Sequence, residues 1–275
     1  MSDILFAEPY QISDEQVEFF RENGYVKCEQ VLAAEELRDI QQSLDFALAH
    51  RDGFVRDLAA SEDGSDDDGD DGSNKILQMV NLWQNFDDIK RYSLNSRIAG
   101  MARRLTGSAT VRLFHDQALV KEPGPSAPSP WHQDQPYWPV VEPGMLSCWM
   151  ALDDVTIEKG CMQFIPGSHH WGEFAPMSFT GGGPSLDDIL SDEQKAAWNA
   201  VPIELKAGDC TWHHGWTWHY TNANSTNETR RAMVTIYIPE GVTFAGDDKQ
   251  DHPLSPTITI KKGEPLRGSV FPLIP

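Results

Sequence analysis

Apolar positions in the first hundred residues recur at helical spacing. Ser13 and Gln16 stand at capping-box distance and open a short helix predicted to stop at Gly24. Leu37, Ile40, Leu44 and Leu48 place one apolar stripe on a second helix, predicted over residues 33–50. Tyr25, Val26 and Lys27 between them read as a short strand. From residue 111 the period changes to two. Residues 111–121 alternate, and 145–152 form an apolar run of strand length. Residues 161–165 end in the turn Pro166, Gly167, Ser168, and 202–206 end at Gly208 and Asp209, before 230–238 alternate again. Short strands divided by turn signals predict a sandwich or barrel, so the chain reads as mainly β with flanking helices. Residues 171–200 break this rhythm with a glycine triplet at 181–183 and a helix predicted around 191–200, and read as an insertion. No repeat and no shift in composition marks a second domain, so residues 1–275 are expected to form one. The polar, proline-bearing tail after Gly246 matches no element.

Charge narrows the partners. Lys and Arg total 22 against 42 Asp and Glu, a net charge of −20. Nucleic acid, anionic membranes and polyphosphates are bound by an excess of basic residues, and none is expected here. Seven of the acids crowd into residues 61–74 with no base among them. No frame there fits a calcium loop, so a solvated acidic loop is expected. Cys28, Cys148, Cys161 and Cys210 are scattered, which suits a reducing compartment. The N-terminus lacks signal-peptide pattern and no apolar run reaches the length of a bilayer span, so a cytoplasmic protein is expected.

Candidate chemistry concentrates in two segments. His132 and Asp134, two apart on an extended stretch, share one face and can meet one ion. A lone pair of this kind arises often by chance. The segment 212–219 supplies third ligands in His213, His214 and His219. Two imidazoles and a carboxylate form the facial triad of non-haem Fe(II) oxygenases, although zinc accepts the same donors. In residues 230–238, period-2 pleating sets Arg230 with Ala232, Val234 and Ile236 on the inward face and turns Arg231 outward. A buried arginine needs a carboxylate, from the protein or from a ligand. The same parity groups His115 and Gln117 with Leu113 and Leu119, polar groups on an apolar face.

With these residues in place the chain resembles the phytanoyl-CoA dioxygenase family of Fe(II)- and 2-oxoglutarate-dependent oxygenases. The resemblance runs from Asn23, Gly24, Tyr25 and Val26 to Pro239. It is strongest in 131–134, 146–152, 160–169, Gly208 with Asp209, and 219–230. It implies a double-stranded β-helix, the cupin-like jelly roll, with helices on one side. It also implies that His132, Asp134 and His219 hold iron, and that Arg230 grips the far carboxylate of 2-oxoglutarate. Thr221 matches a hydroxyl helping that arginine. Gln117, Trp149 and, as a neighbour, His115 match the co-substrate pocket. His213 and His214 are not among the family's ligands, so His213→Ala is expected to leave iron binding largely intact.

Departures from the family bear on substrate. Some members set a lysine against the co-substrate upstream of the Gln117 position; within residues 75–83 no counterpart is assigned, and Gln78 and Asn81 are the candidates. Halogenating relatives carry a small residue in place of Asp134, so halogenation is not expected. No basic cluster suits a CoA tail. The expected activity is hydroxylation of a small, non-CoA molecule, neutral or cationic, with an apolar or aromatic body, using O2. Desaturation, cyclisation or epimerisation by the same chemistry is the alternative. Rivals from other classes are a non-catalytic metal-binding jelly-roll sensor and a zinc hydrolase. Trp131, Tyr137, Trp138, Trp212, Trp216 and Trp218 are divided between core and substrate wall, and segments 61–74 and 171–200 are candidate lids.

Overall fold

The computed structural model describes residues 8–50, 55–58, 76–124, 126–179, 184–246, 249, 252 and 254–275. The acidic segment 61–74 and the glycine triplet lie outside the described residues. The strands are β1 Tyr25–Cys28, β2 Val55–Asp57, β3 Leu77–Val80, β4 Val111–Lys121, β5 Ser129–His132 and β6 Leu146–Ala151. They continue as β7 Met162–Phe164, β8 Val201–Ile203, β9 Cys210–His214, β10 His219–Thr221, β11 Arg230–Pro239 and β12 Leu273–Ile274. One sheet runs β1-β9-β6-β11-β4-β3-β2, with β12 added beside β4, and the other runs β5-β10-β7-β8. Every pairing is antiparallel. The two sheets face each other as a jelly roll without closing into one barrel.

Four helices cover the outer face of the large sheet: α1 Asp14–Asn23, α2 Ala34–Ala49, α3 Asp87–Ser93 and α4 Ser96–Thr106. Their apolar stripes, from Val17 and Phe20 through Ile40 and Leu44 to Ile98 and Met101, join Cys148, Met150, Trp212 and Met233 in one core. A second core fills the space between the sheets, around Phe114, Trp149, Phe164, Val234 and Ile236. Strands β1, β4, β6 and β11 of the large sheet therefore feed the helices with one face and the inter-sheet space with the other. Ser13 caps α1 in the predicted box, and Gly24 ends the helix at φ +78°, where a side chain would collide with His169. α3 and α4 were not foreseen, although Asn95 and Gly107 cap α4 at its two ends. No described helix is long and apolar enough to cross a membrane.

Parity in β4 differs from the expectation. The register between β4 and β11 shifts at Ile236 and Tyr237, which pair with His115 and Leu113. Phe114 is the extra residue of this bulge. Leu113 consequently joins the helix-side core and Phe114 the inter-sheet core. His115 and Gln117 keep the inward face.

Asp116 anchors β4 from the other side. Its carboxylate accepts from Ser93 Oγ at 2.6 Å and Trp83 N at 3.0 Å, while its Oδ1 has no partner among the described residues. Burial pushes the carboxyl up to about 7, against which those hydrogen bonds act only partly. A carboxyl held more tightly protonated in the fold stabilises it at acid pH, and that stability is lost as pH rises from the unfolded value near 4 through about 7. Asp116→Asn, whose carbonyl keeps both accepted bonds, should flatten the fall in melting temperature between pH 5 and pH 8. An unchanged pH profile would show that Asp116 is ionised in the native protein without cost.

Candidate active site

The small sheet brings the predicted ligands together. His132 ends β5 and His219 begins β10, and the two are direct register partners. Their rings lie 4.1 Å apart between centroids. Asp134 follows β5 by two residues and enters the turn Gln135–Tyr137, which returns its carboxylate toward both rings. Its Oδ1 is 3.7 Å from His132 Nε2 and 3.5 Å from His219 Nε2. One donor atom from each of the three residues lies within 4.8 Å of the others.

The donor chemistry suits a divalent metal. His132 Nδ1 donates to Pro130 O at 2.7 Å and His219 Nδ1 to Thr217 O at 2.9 Å. A carbonyl only accepts, so each ring carries its proton on Nδ1 and turns the Nε2 lone pair to the centre. Burial keeps both imidazoles neutral by pushing their pKa down. Burial also raises the Asp134 carboxyl, but His219, His213 and His132 outweigh it and hold the group well below the usual carboxylate range. Two neutral imidazoles and one carboxylate are what Fe(II) or Zn(II) takes.

The second oxygen of Asp134 is held from behind. His213, on β9, lies with Nε2 2.9 Å from Oδ2, and Ser147 Oγ of β6 donates to the same atom at 2.8 Å. An ionised carboxylate accepts only, so His213 donates through Nε2. His213 is 2 % exposed and its Nδ1 has no partner among the described residues, so its contact with Asp134 is its principal one. The expectation that His213 is dispensable changes accordingly: it orients the carboxylate, and such supporting residues typically carry about 10–100-fold in metal affinity. His214 is tied elsewhere, accepting from Trp216 N at 3.0 Å.

A cavity of about 480 Å³ opens beside the three residues. His132, Asp134 and His219 line it, as do Arg230, Gln117, Trp149, Thr221 and His115, so the structure gathers all eight sequence candidates around one space. Arg230 is 1 % exposed, lies 5.3 Å from the Trp149 ring centroid and, among the described residues, donates only to Leu119 O at 3.4 Å. Its Nε has no partner among the described residues. Arg231 points outward and grips Asp153 through Nε at 3.1 Å and Nη2 at 2.7 Å, with Asp45 at 2.6 Å. Pleating thus gives the outer arginine protein carboxylates and leaves the inner one facing the cavity. On the inward face of β11, Val234 pairs with Trp149 and Gln117, and Ile236 pairs with Ser147 and His115. Gln117 and Trp149 therefore stand between Arg230 and the Asp134 end. His115 donates from Nδ1 to Asp116 O at 3.2 Å, and burial pushes it down to about 4.

Three open points resolve. Gln78 lines the cavity and donates to Gln117 Oε1 at 2.5 Å, whereas Asn81 serves Trp83 Nε1 at 3.1 Å. Gln78 thus faces the cavity and Gln117 from β3 with a neutral amide. The insertion divides in two. Residues 176–179 reach the cavity, with the Phe179 ring 4.8 Å from that of His132 and Tyr137 OH bonded to Met177 O. The helical part, α5 Leu186–Ile189 and α6 Asp192–Ala196, leads to Trp198, which packs on Trp131 at 5.1 Å and Trp218 at 5.7 Å. Of the six rings singled out, only Tyr137 and Trp138 line the cavity, and Trp212 is buried in the helix-side core. His252, in the unplaced tail, lines it as well, a placement that no local pattern announces.

The comparisons agree with this geometry. The family model "Phytanoyl-CoA dioxygenase (PhyH)" matches residues 20–232. A phytanoyl-CoA dioxygenase of Arabidopsis thaliana is 24% identical over 266 residues, covering 86% of this chain and 93% of its own. Among solved structures, the non-heme alpha ketoglutarate dependent carbocyclase SnoK from nogalamycin biosynthesis superposes with a TM-score of 0.80 at 28% identity, over 98% of this chain and 100% of that one. The epimerase SnoN in complex with Fe3+, alpha ketoglutarate and nogalamycin RO gives 0.76 at 27% identity, over 95% and 98%. The chain belongs to the phytanoyl-CoA dioxygenase family and is an iron- and 2-oxoglutarate-dependent dioxygenase.

Proposed function

We propose that this dioxygenase oxidises a C–H bond of a small, non-CoA organic molecule, most directly to an alcohol, with His132, Asp134 and His219 as iron ligands. The observation that carries the reading is a buried arginine, with no carboxylate partner among the described residues, in the same cavity as two histidines and an aspartate. A metal-binding sensor or a zinc hydrolase has no use for that arginine, whereas 2-oxoglutarate has a carboxylate at each end. Bound iron, with 2-oxoglutarate and O2, supplies the oxidising equivalents. The chain's own residues position and exclude. Arg230 takes the far carboxylate, Gln117 and Trp149 confine the chain of the co-substrate, and Phe179 and Tyr137 keep water from the His132 side.

Ring closure or epimerisation is the second reading, favoured by the structural likeness to a carbocyclase and an epimerase. Product mass separates these: hydroxylation adds one oxygen, ring closure or desaturation removes two hydrogens, and epimerisation changes neither. The test is a metabolite library scored for substrate-triggered succinate under iron and 2-oxoglutarate, followed by product mass. A protein that binds iron yet never releases succinate with any compound would favour the sensor.

The net charge of −20 supports free neutral or cationic substrates over CoA esters. Segment 171–200 carries Lys195 as its single base. A paired assay of a free compound and its CoA ester at low and high salt should show the ester disfavoured, most strongly at low salt. Equal or better turnover of the ester at low salt would sink this part of the reading.

A further inference from the structure

Lys121 ends β4 directly opposite Arg230 of β11. Both are sealed from solvent, at 0 % and 1 % exposure. The side-chain nitrogen of Lys121 donates to Thr221 Oγ1 at 2.8 Å and to Asn222 O at 2.5 Å. Gly160, at φ +78°, leaves room for that carbonyl, which a side chain there would strike. Thr221 lines the cavity, whereas Lys121 stands behind it. Burial, and then Arg230, push Lys121 down to about 6. Beside buried Arg230, and with hydrogen bonds only to neutral oxygens among the described residues, the charged form of Lys121 is disfavoured. An anion brought between the two residues offsets this and favours the charged amine.

That charged form has three donors and no lone pair. Thr221 Oγ1 must then accept from Lys121 and turn its own hydrogen elsewhere, and the open side is the cavity. We propose that Lys121 is a positioning residue for the co-substrate: it aims the Thr221 hydroxyl at the far carboxylate of 2-oxoglutarate and adds a second buried positive charge behind it. The proposal rests on the assignment of Arg230 to that carboxylate. From the β3 side Gln78 offers an amide in place of a charge, so Lys121 is the cation that supplements Arg230.

The experiment measures binding rather than turnover, by anaerobic calorimetry on the Mn(II)-loaded protein with 2-oxoglutarate and with 2-oxopentanoate, which has a methyl in place of the far carboxylate. Lys121→Met should weaken 2-oxoglutarate about 10–100-fold, the range of one charge-assisted hydrogen bond. Thr221→Val should weaken it comparably, and the double variant little more than either, because the two residues act in series. Binding of 2-oxopentanoate should stay within about twofold in all three, because the lost hydrogen bond has no partner there. The melting temperature of Lys121→Met should hold or rise, since a buried polar group whose charged form is disfavoured there is gone. If that variant does not fold, Lys121→Gln and Thr221→Val carry the same comparison. Unchanged 2-oxoglutarate binding, equal losses for both ligands, or full additivity would overturn the role of Lys121. A wild-type protein that prefers 2-oxopentanoate would overturn the assignment of Arg230 itself, and the proposal with it.

Discussion

Asp134→Ala is expected to abolish iron uptake and turnover. The substitution removes the one anionic donor of the set and leaves two neutral imidazoles facing a dication. It also strands the Nε2–H of His213 and the hydroxyl of Ser147, both of which point at the lost Oδ2. Breaking a buried charge contact by removing one partner costs roughly 3–5 kcal/mol. At 1.4 kcal/mol per decade that is about a hundred- to several-thousandfold in affinity. His132→Ala and His219→Ala should fail similarly. His213→Ala should be graded, about 10–100-fold weaker in iron, because it loosens Asp134 without deleting a donor. Anaerobic iron titration of the four variants reads this order directly. Loss of iron in His213→Ala with retention in His219→Ala would mean that the wrong histidine was placed on the metal.

Arg230→Ala should raise the 2-oxoglutarate requirement by roughly ten- to several-hundredfold, since charge-assisted bonds to a carboxylate are worth about 1.5–3 kcal/mol and more where the partner is left buried. Arg231→Ala should move that requirement little and lower thermal stability instead. Its guanidinium ties β11 to Asp153 and to Asp45 of α2, well away from the cavity. The two residues are adjacent in sequence and identical in type, so the contrast isolates the effect of strand parity. Titration of 2-oxoglutarate against each variant, alongside a thermal melt, decides it. Equal effects on the co-substrate would defeat the parity argument.

Much of the site was legible before the fold was known, because its signals are local or periodic. His132 and Asp134 are two residues apart, Arg230 sits in a strand whose alternation is clean, and the resemblance to the family singled out His219, Thr221, Gln117 and Trp149. The strand alternation holds along β11 because its inward residues all serve one core, from Ala232 through Ile236. It fails along β4 at Leu113, because a one-residue bulge exchanges the two faces and leaves no mark in hydrophobicity: Leu113 and Phe114 are both apolar. Helix α4 was equally legible, since Asn95 and Gly107 cap it and Ile98, Met101, Ala102 and Leu105 recur at helical spacing.

Residue type and spacing along the chain are thus enough for a mainly β sandwich or barrel, for the pair His132 and Asp134 and for the inward arginine, since each depends on neighbours within one strand or turn, whereas the jelly roll and the choice of His219 came from the resemblance to the family. Long-range contacts decided the rest. His213 became the support of Asp134 because β9 and β6 lie side by side, bringing it and Ser147 behind one oxygen. Lys121 came to stand behind Thr221 although 100 residues separate them. The tail residue His252 and residues 176–179 reached the cavity by chain reversals that no local pattern encodes. A hydrogen bond reads a distance of about 3 Å and is indifferent to sequence separation. The supporting shell of the site therefore appears only once the sheets have fixed which strands are neighbours.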